Sequence, residues 1–194
     1  MRTLVVARHG ESELSLIDRL NGDARAGVGL TPAGRDQAVE LGREVGPVDL
    51  VAYTEFPRTR ETAELAWPGA PSLVIPELNE IAFGSFEGTH WSDGYHEWVL
   101  SSGPAEACPG GGESRLAAMQ RYLLGFRLLL ERPEERIAFV GHGAQVRYIS
   151  LALDGLSPTR VLEGVPPAEP FAMSAERFEE AVEALEEWAA APSF

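Results

Sequence analysis

Residues 3–10 read Thr-Leu-Val-Val-Ala-Arg-His-Gly, a short apolar run that ends in an arginine, a histidine and a glycine. A continuous apolar run of this length predicts a buried strand over residues 3–8. Comparable runs occur at residues 48–53, 72–75 and 137–140. The chain therefore has four candidate strands, and the first of them carries basic side chains at its carboxyl end.

Candidate helices lie between these strands and after the last one. Thr31 followed by Pro32 is a typical helix start, because threonine accepts a hydrogen bond from the first turn and proline suits the first helical position. Further helices are predicted to begin near Pro57, Leu116, Gly143 and Ala175. Strands that alternate with helices predict an α/β fold: a three-layer sandwich with a mostly parallel central sheet flanked by helices.

The chain of 194 residues is long enough for one sizeable core and contains no internal repeat or linker-like segment. We therefore expect residues 1–194 to form a single domain. Residues 80–112 are rich in glycine, proline and aromatic side chains and show no clean period. They predict a small cap, inserted as loops and short helices over the carboxyl ends of the strands. Residues 156–171 are rich in proline and predict irregular structure.

The formal net charge is −14, and all 16 basic residues are arginine. Without lysine, the chain can form neither a Schiff base nor a phosphate loop of the Walker type. A surface with this much negative charge should repel nucleic acid and anionic membranes, and we therefore expect neither as a partner. An anionic substrate would need a local cluster of arginines. Cys108 is the only cysteine, which excludes an intramolecular disulfide and a zinc site with several thiolates.

No stretch of about 18 apolar residues occurs, so the sequence predicts no transmembrane helix. The apolar run at residues 3–7 is too short for the central region of a signal peptide. We therefore expect a cytoplasmic protein.

Basic residues follow three of the predicted strands. Arg8 and His9 end the first, Arg58 lies in the first turn of the helix after the second, and His142 separates the fourth from its helix. Ligands of open α/β sheets bind beyond the carboxyl ends of the strands, so we expect these side chains to converge. Two arginines bind phosphoryl oxygens well, and the start of a helix favours anions. Gly143 would allow a ligand to approach the backbone closely.

The same residues resemble the histidine phosphatase superfamily, also called the phosphoglycerate-mutase-like family. Residues 4–12, Leu-Val-Val-Ala-Arg-His-Gly-Glu-Ser, are similar to its signature block. Five further blocks follow in the family's order, at residues 30–38, 58–63, 78–88, 112–114 and 140–143. The resemblance therefore covers most of the chain, from residue 4 to about residue 150.

The resemblance implies a role for each matching residue. His9 would attack phosphorus and become phosphohistidine, while Arg8, Arg58 and His142 would hold the phosphoryl oxygens. Glu80 would protonate the leaving oxygen and then activate water. No cofactor is implied and no metal is needed, because arginines supply the positive charge that phosphoryl transfer requires.

Other assignments stay open at this stage. Glu87 and Glu11 are alternatives to Glu80 as the acid. Glu113 and Ser114 are expected to cap the next helix, Ser114 being also a candidate phosphate contact. Ser15 is a candidate substrate-binding residue. The cap aromatics that could line a pocket or only pack are Trp91, Tyr95, His96 and Trp98. The arginines that could add positive potential are Arg19, Arg25, Arg60, Arg115 and Arg147. We expect Glu55 and Glu61 to face away from the site.

The family contains both phosphatases and mutases. Its glycolytic mutases follow Leu-Asn-Glu with Arg-His-Tyr-Gly, whereas residues 81–88 here are Ile-Ala-Phe-Gly-Ser-Phe-Glu-Gly and resemble the phosphatase branch. The mutases carry asparagine where Ser15 stands, and an adjacent arginine pair that this chain lacks. We therefore expect hydrolysis of a small phosphorylated metabolite through a phosphohistidine. Phosphoryl transfer between hydroxyls and a non-catalytic phosphate-binding or interaction module are the alternatives. Neither the substrate's identity nor the oligomeric state follows from the sequence.

Overall fold

The central sheet has five strands in the order β3-β2-β4-β1-β5 in the computed structural model, which describes residues 2–194. Strands β1 to β4 run parallel to their neighbours, and β5 is antiparallel to β1. The strands are β1 (Thr3–Arg8), β2 (Leu50–Tyr53), β3 (Ser72–Val74), β4 (Arg136–Gly141) and β5 (Pro170–Ser174). The prediction of a mostly parallel sheet is confirmed.

Helices cover both faces of this sheet. They are α1 (Pro32–Val45), α2 (Pro57–Ala66), α3 (His96–Ser101), α4 (Arg115–Leu130), α5 (Gly143–Leu153) and α6 (Ala175–Ala190). Shorter helical turns lie at Ser15–Ile17, Ala24–Ala26, Pro76–Leu78, Gly84–Phe86 and Trp91–Tyr95. No helix within residues 2–194 is long and apolar enough to cross a membrane.

The alternation of side chains along β1 separates the two halves of the core. Leu4 and Val6 belong to a large apolar cluster with α4, α5 and α6. Val5 and Ala7 point to the opposite face and join a smaller cluster with α1 and α2. Because successive residues of a strand face opposite sides, a continuous apolar run is buried only when both faces are covered. The three-layer sandwich is thus confirmed.

The structure confirms the predicted helix starts at which the sequence indicated a capping side chain. The side chain of Thr31 accepts a hydrogen bond from the backbone N–H of Gly34, and that of Ser174 accepts one from Arg177. Ser114 caps α4 in the same way. Glu113 does not share in this capping, since its carboxylate pairs with Arg121 at 2.7 Å.

The edge strand β5 lies where the sequence predicted irregular structure up to residue 171. It pairs Pro170 with Ala7 and Ser174 with Thr3. A proline can begin an edge strand because the missing N–H costs no bond to a neighbour. The strand has a short apolar run, Phe171 to Met173, but the run directly follows a proline-rich segment that predicts irregular structure. Residues 80–112 hold short helices, as predicted, while the division of residues 1–194 into one domain with a cap insertion stays a prediction.

Helices α1 and α2 lie unusually close together at Gly42. A Cβ atom at this position would lie 2.0 Å from the backbone carbonyl oxygen of Ala66. A side chain there would push the two helices apart, so the glycine is required by packing rather than by backbone conformation.

Replacement of Gly42 by alanine should destabilise the protein by about 1–3 kcal/mol, the usual cost of overpacking. This effect opposes the helical preference for alanine, which alone would stabilise by roughly 1 kcal/mol. Urea denaturation measures the difference. Gly103→Ala is the control, because no heavy atom lies within 4 Å of the added carbon. A Gly42→Ala protein as stable as this control would contradict the close packing.

Candidate functional site

The carboxyl ends of β1, β2 and β4 meet at one edge of the sheet. His9 follows β1 directly, and His142 follows β4, the neighbouring strand. Arg58 enters between them from the first turn of α2. Its Nε atom lies 3.0 Å from Nε2 of His9, and its Nη2 atom lies 3.1 Å from Nδ1 of His142. The two imidazole rings are 5.5 Å apart between centroids. The predicted convergence of these residues is present.

His9 is buried, and its ring is held in one orientation. Its Nδ1 atom lies 2.7 Å from the backbone oxygen of Gly10, which can only accept, so Nδ1 carries the proton. The lone pair is then on Nε2, where it accepts a hydrogen bond from Arg58. Burial, and then the positive charges of Arg58 and Arg8, lower the pKa of His9 well below its usual value. The ring is therefore a neutral imidazole whose Nε2 lone pair points into the site.

His142 is the N-cap residue of α5. Its backbone N–H donates to Oε1 of Gln145 at 2.6 Å, and its Nε2 atom lies 3.0 Å from the hydroxyl of Thr54. Since Arg58 can only donate, Nδ1 of His142 accepts and Nε2 carries the proton in this state. Burial and the nearby charge of Arg58 lower the pKa of His142 well below its usual value.

Arg58 is itself buried and has no carboxylate partner among residues 2–194. Its Nη2 atom donates to the backbone oxygen of Asn21 at 3.0 Å, and Nη1 donates to the Asn21 side chain. Its guanidinium carbon lies 4.3 Å from the centre of the Phe56 ring. Burial lowers the pKa of Arg58 to about 10, so the group stays charged at neutral pH.

Arg8 offers a hydrogen-bond donor that the protein does not use. Its Nη1 atom donates to the backbone oxygen of Val165 at 2.7 Å, whereas its buried Nε has no partner within residues 2–194. The first residue of α5, Gly143, lies beside this Nε. A helix start and an unpartnered guanidinium donor together favour an anion at this point.

Of the three candidate acids, only Glu80 lines the cavity that also contains His9 and Arg58. Its Oε2 atom lies 3.9 Å from Nδ1 of His142, and its side chain is 14% exposed. Burial raises the pKa of Glu80, and the charge of Arg58 opposes this only in part. Glu87 instead accepts backbone hydrogen bonds from Gly22 and Phe83, both at 2.9 Å.

The remaining candidates divide into those at the cavity and those outside it. Glu11 accepts from Thr31 at 2.7 Å and does not line the cavity. Glu55 accepts from Asn79, and Glu61 pairs with Arg35 at 2.8 Å, so both face away as expected. The candidates that line the cavity are Ser15, Gly143, Arg19, Arg115, Trp91 and Tyr95, and those that do not are Ser114, Arg25, Arg60, Arg147, His96 and Trp98.

The cavity has a volume of about 470 Å³, so it holds more than a phosphate. Arg8, His9 and Arg58 lie at one end. Aromatic and apolar side chains line the remainder, among them Phe83, Trp91, Tyr95, Tyr148 and Leu162. The end formed by Arg8, His9 and Arg58 suits a phosphoryl group, and the mostly apolar walls suit the organic part of a ligand.

Sequence reasoning missed three residues of this site. Asn21 holds Arg58, and Thr54 holds His142. Thr54 follows β2 at the same edge as His9, so the rule used for the other strand ends could have found it. Arg160 lines the cavity from the proline-rich segment, where no periodicity or motif marks it.

A model of the histidine phosphatase superfamily (branch 1) matches residues 4–190. The chain therefore belongs to the histidine phosphatase superfamily, and the resemblance inferred from the six blocks is confirmed.

Similar proteins within this superfamily include a mutase and phosphatases. The 2,3-bisphosphoglycerate-dependent phosphoglycerate mutase of Brucella ovis is 31% identical over 188 residues, covering 85% of this chain and 90% of the mutase. The alpha-ribazole phosphatase from Shigella flexneri has a TM-score of 0.72 and 28% identity, covering 88% of this chain and 89% of that one. A mycobacterial glucosyl-3-phosphoglycerate phosphatase in complex with VO3 has a TM-score of 0.72 and 26% identity, covering 90% and 93%.

The rings of His9 and His142 should stay neutral in the ligand-free protein as the pH falls through about 6.5, the usual pKa of histidine. Burial and Arg58 both oppose protonation. Nitrogen-15 NMR of the two rings measures this. Because the unfolded chain binds these protons near pH 6.5 and the folded chain does not, stability should also fall as the pH drops below about 6.5. A midpoint at or above that pH for either ring would contradict the geometry.

Proposed function

We propose that the protein hydrolyses phosphomonoesters through a phosphohistidine intermediate at His9. The observation that carries this proposal is the lone pair on Nε2 of His9, fixed by the Gly10 carbonyl and directed at the buried guanidinium of Arg58. A phosphoryl group at this point would lie against a neutral nucleophile and cationic donors. This is the combination that phosphoryl transfer needs, since negative charge develops on the oxygens of the transferred group.

In the first step, Nε2 of His9 attacks phosphorus and the bond to the ester oxygen breaks. Glu80 donates its proton to that oxygen, so the alcohol leaves neutral. Arg8, Arg58 and the start of α5 hold the phosphoryl oxygens. The raised pKa of Glu80 supports the role of acid, because the carboxyl group retains its proton to higher pH than an exposed glutamate does.

His142 can join these donors by changing its tautomer. When a phosphoryl oxygen replaces the imidazoles as the partner of Arg58, Nδ1 of His142 is free to carry a proton and donate. The hydroxyl of Thr54 can then donate to Nε2, since a hydroxyl is both donor and acceptor. Thr54 is thus the positioning residue that allows His142 to serve in both states.

In the second step, the Glu80 carboxylate accepts a proton from water, and the resulting hydroxide oxygen attacks phosphorus. The bond between phosphorus and His9 breaks, which releases inorganic phosphate and restores the neutral imidazole. Two displacements replace one difficult reaction. We propose that the reaction uses no metal and no cofactor, since Arg8 and Arg58 supply the charge, and that it takes place in the cytoplasm on a small phosphorylated metabolite.

Transfer to a second hydroxyl, as a mutase performs it, is the alternative. The 31% identity with the Brucella ovis mutase favours it. The likeness to two solved phosphatases favours hydrolysis, as does the segment at residues 81–88, which resembles the phosphatase branch. We propose hydrolysis as the activity.

Replacement of His9 by alanine should lower the turnover of phosphomonoesters at least about a thousandfold, because the nucleophile is lost. A panel that includes p-nitrophenyl phosphate measures this, with His90→Ala as a control outside the cavity. The trapped phosphoenzyme should be acid-labile and map to His9. A chelator should leave the activity unchanged.

Three results would contradict parts of this proposal. Inhibition by a chelator that metal reverses would refute the metal-free scheme. Fast isomerisation of 3-phosphoglycerate with little free phosphate would assign a mutase. No turnover of any phosphomonoester at several pH values would favour a non-catalytic phosphate-binding or interaction module.

Replacement of Glu80 by glutamine should slow the hydrolysis of an alkyl phosphate by about 10²–10⁴-fold, the usual contribution of general acid–base catalysis. With p-nitrophenyl phosphate the variant should give a rapid burst of nitrophenolate followed by slow turnover, because this leaving group needs no proton while the second step lacks its base. Stopped-flow absorbance measures both phases. In the parent protein, activity towards alkyl phosphates should fall as the pH rises through the raised pKa of Glu80. This decrease at high pH should be absent from the pH–rate profile of the Glu80→Gln variant.

Glu87→Gln separates the two candidate acids. It should lower the stability of the fold, since the backbone N–H groups of Gly22 and Phe83 lose a carboxylate acceptor. The ratio of the rates for alkyl phosphates and p-nitrophenyl phosphate should stay as in the parent protein. If the burst pattern followed Glu87 instead of Glu80, the assignment of the acid would be wrong.

A further inference from the structure

The cavity contains a second concentration of positive charge, away from the two imidazoles. Arg115 is the first residue of α4, and Arg160 lies in the segment after α5. Both line the cavity, and both donate to the backbone oxygen of Ser102 at 2.8 Å, so the two guanidinium groups lie side by side. We call Arg115 and Arg160 the distal arginine pair.

The distal arginine pair has no carboxylate partner within residues 2–194. Nine of the sixteen arginines form ion pairs with acidic side chains, and seven do not. Five of these seven line the cavity: Arg8, Arg19, Arg58, Arg115 and Arg160. None of these five forms an ion pair within 4 Å of a carboxylate of the described residues, although the charge of Glu80 acts on Arg8 and Arg58. Arg58 and Arg115 are the two that are buried, and only Arg115 has no carboxylate among the charges that act on it. Because buried charges are normally paired, Arg115 is the side chain whose environment favours an added anion.

Arg115 has the more unusual environment of the two. It is 5% exposed, and its Nη atoms donate to backbone oxygens at the end of α3, including those of Val99 and Ser102. Its buried Nε has no hydrogen-bond partner within the described residues, the same condition as Nε of Arg8 at the phosphoryl end. Unmet buried donors are rare and costly, and this cavity has one near each end.

The acidic residues that line the cavity do not neutralise the distal arginine pair. The side chain of Glu163 is largely exposed, and its carboxylate lies 3.6 Å from Arg147, a residue that does not line the cavity. Asp18 is exposed, and Glu80 lies beside His142. Between the two charged ends, the walls are formed by apolar and aromatic side chains, including Tyr95 and Tyr148.

We propose that the distal arginine pair is a second anion-binding subsite for the organic part of the substrate. This inference rests on the proposed hydrolysis at His9. The substrate class would be a phosphomonoester whose alcohol part carries a second anionic group, a carboxylate or a further phosphate, joined to the ester by an apolar spacer. The apolar walls would contact the spacer, and Arg115 and Arg160 would bind the second anion.

A matched series of substrates tests this subsite. Alkyl phosphates of increasing length are compared with ω-carboxyalkyl phosphates and α,ω-bisphosphates of the same length. We expect kcat/KM for one of the two anionic series to exceed that of the alkyl series about tenfold or more at one preferred length, the usual contribution of a charge-assisted hydrogen bond. The series with the larger ratio identifies the anion as carboxylate or phosphate.

Arg160→Gln should remove most of the preference for the anionic substrate over the alkyl phosphate. It should do so by lowering kcat/KM for the anionic substrate towards the value for the alkyl phosphate. Arg147→Gln is the matched control, because Arg147 also donates to backbone oxygens of this segment, at Glu163 and Gly164, but lies outside the cavity. It should retain the preference.

Equal kcat/KM for all three series at every length, or a preference unchanged in Arg160→Gln, would overturn the subsite. No turnover of any substrate by the parent protein would contradict the proposed hydrolysis instead. In that case, calorimetric titration of the parent with the carboxyalkyl and alkyl phosphates still decides the question. Tighter binding of the anionic ligand, lost in Arg160→Gln, supports the subsite, and equal affinities refute it.

Discussion

The hydrogen bonds from the guanidinium of Arg58 to the two imidazoles are the interaction on which this site depends. They join residues from three separate parts of the chain, and burial together with the charge of Arg58 keeps both rings in their neutral form. Arg58 stands at the start of a helix, where the dipole disfavours a cation, and it is buried without a carboxylate. Asn21, the two rings and the face of Phe56 are its direct contacts, and the charge of Glu80 acts on it without forming an ion pair. The protein thus holds a positive charge that no carboxylate of residues 2–194 contacts directly at the point where a phosphoryl group would bind.

The parallel sheet is what makes this meeting possible. Strands β1 and β4 are neighbours in register, with Arg8 opposite Gly141, so the residues that follow them emerge at the same level. Apolar runs and helix starts were sufficient to predict strands β1 to β4, the layers and the meeting of His9, Arg58 and His142. An apolar run reveals a strand because a strand covered on both faces must be apolar, and the polar residues directly after the run mark its end.

Other parts of the fold and site left no such mark in the sequence. Strand β5 has only the three-residue apolar run Phe171 to Met173, and the prolines before it, Pro166, Pro167 and Pro170, indicate irregular structure instead. Asn21 and Arg160 lie in irregular segments, where the position of a side chain is set by contacts distant in sequence rather than by a period. The choice between Glu80 and Glu87 depended on which carboxylate lines the cavity beside His9 and Arg58, and only the three-dimensional contacts show this.

In the ligand-free state, the donors of Arg58 are already occupied by groups of the protein itself. An oxyanion that binds these donors must displace the internal partners of Arg58, so its net affinity there is the difference between two sets of hydrogen bonds rather than the sum of new ones. Inorganic phosphate, which has no organic part to contact the apolar walls, gains least from this exchange. For the proposed hydrolysis, this competition by the imidazoles and Asn21 would favour release of the small product and would reduce occupation of the site by free phosphate.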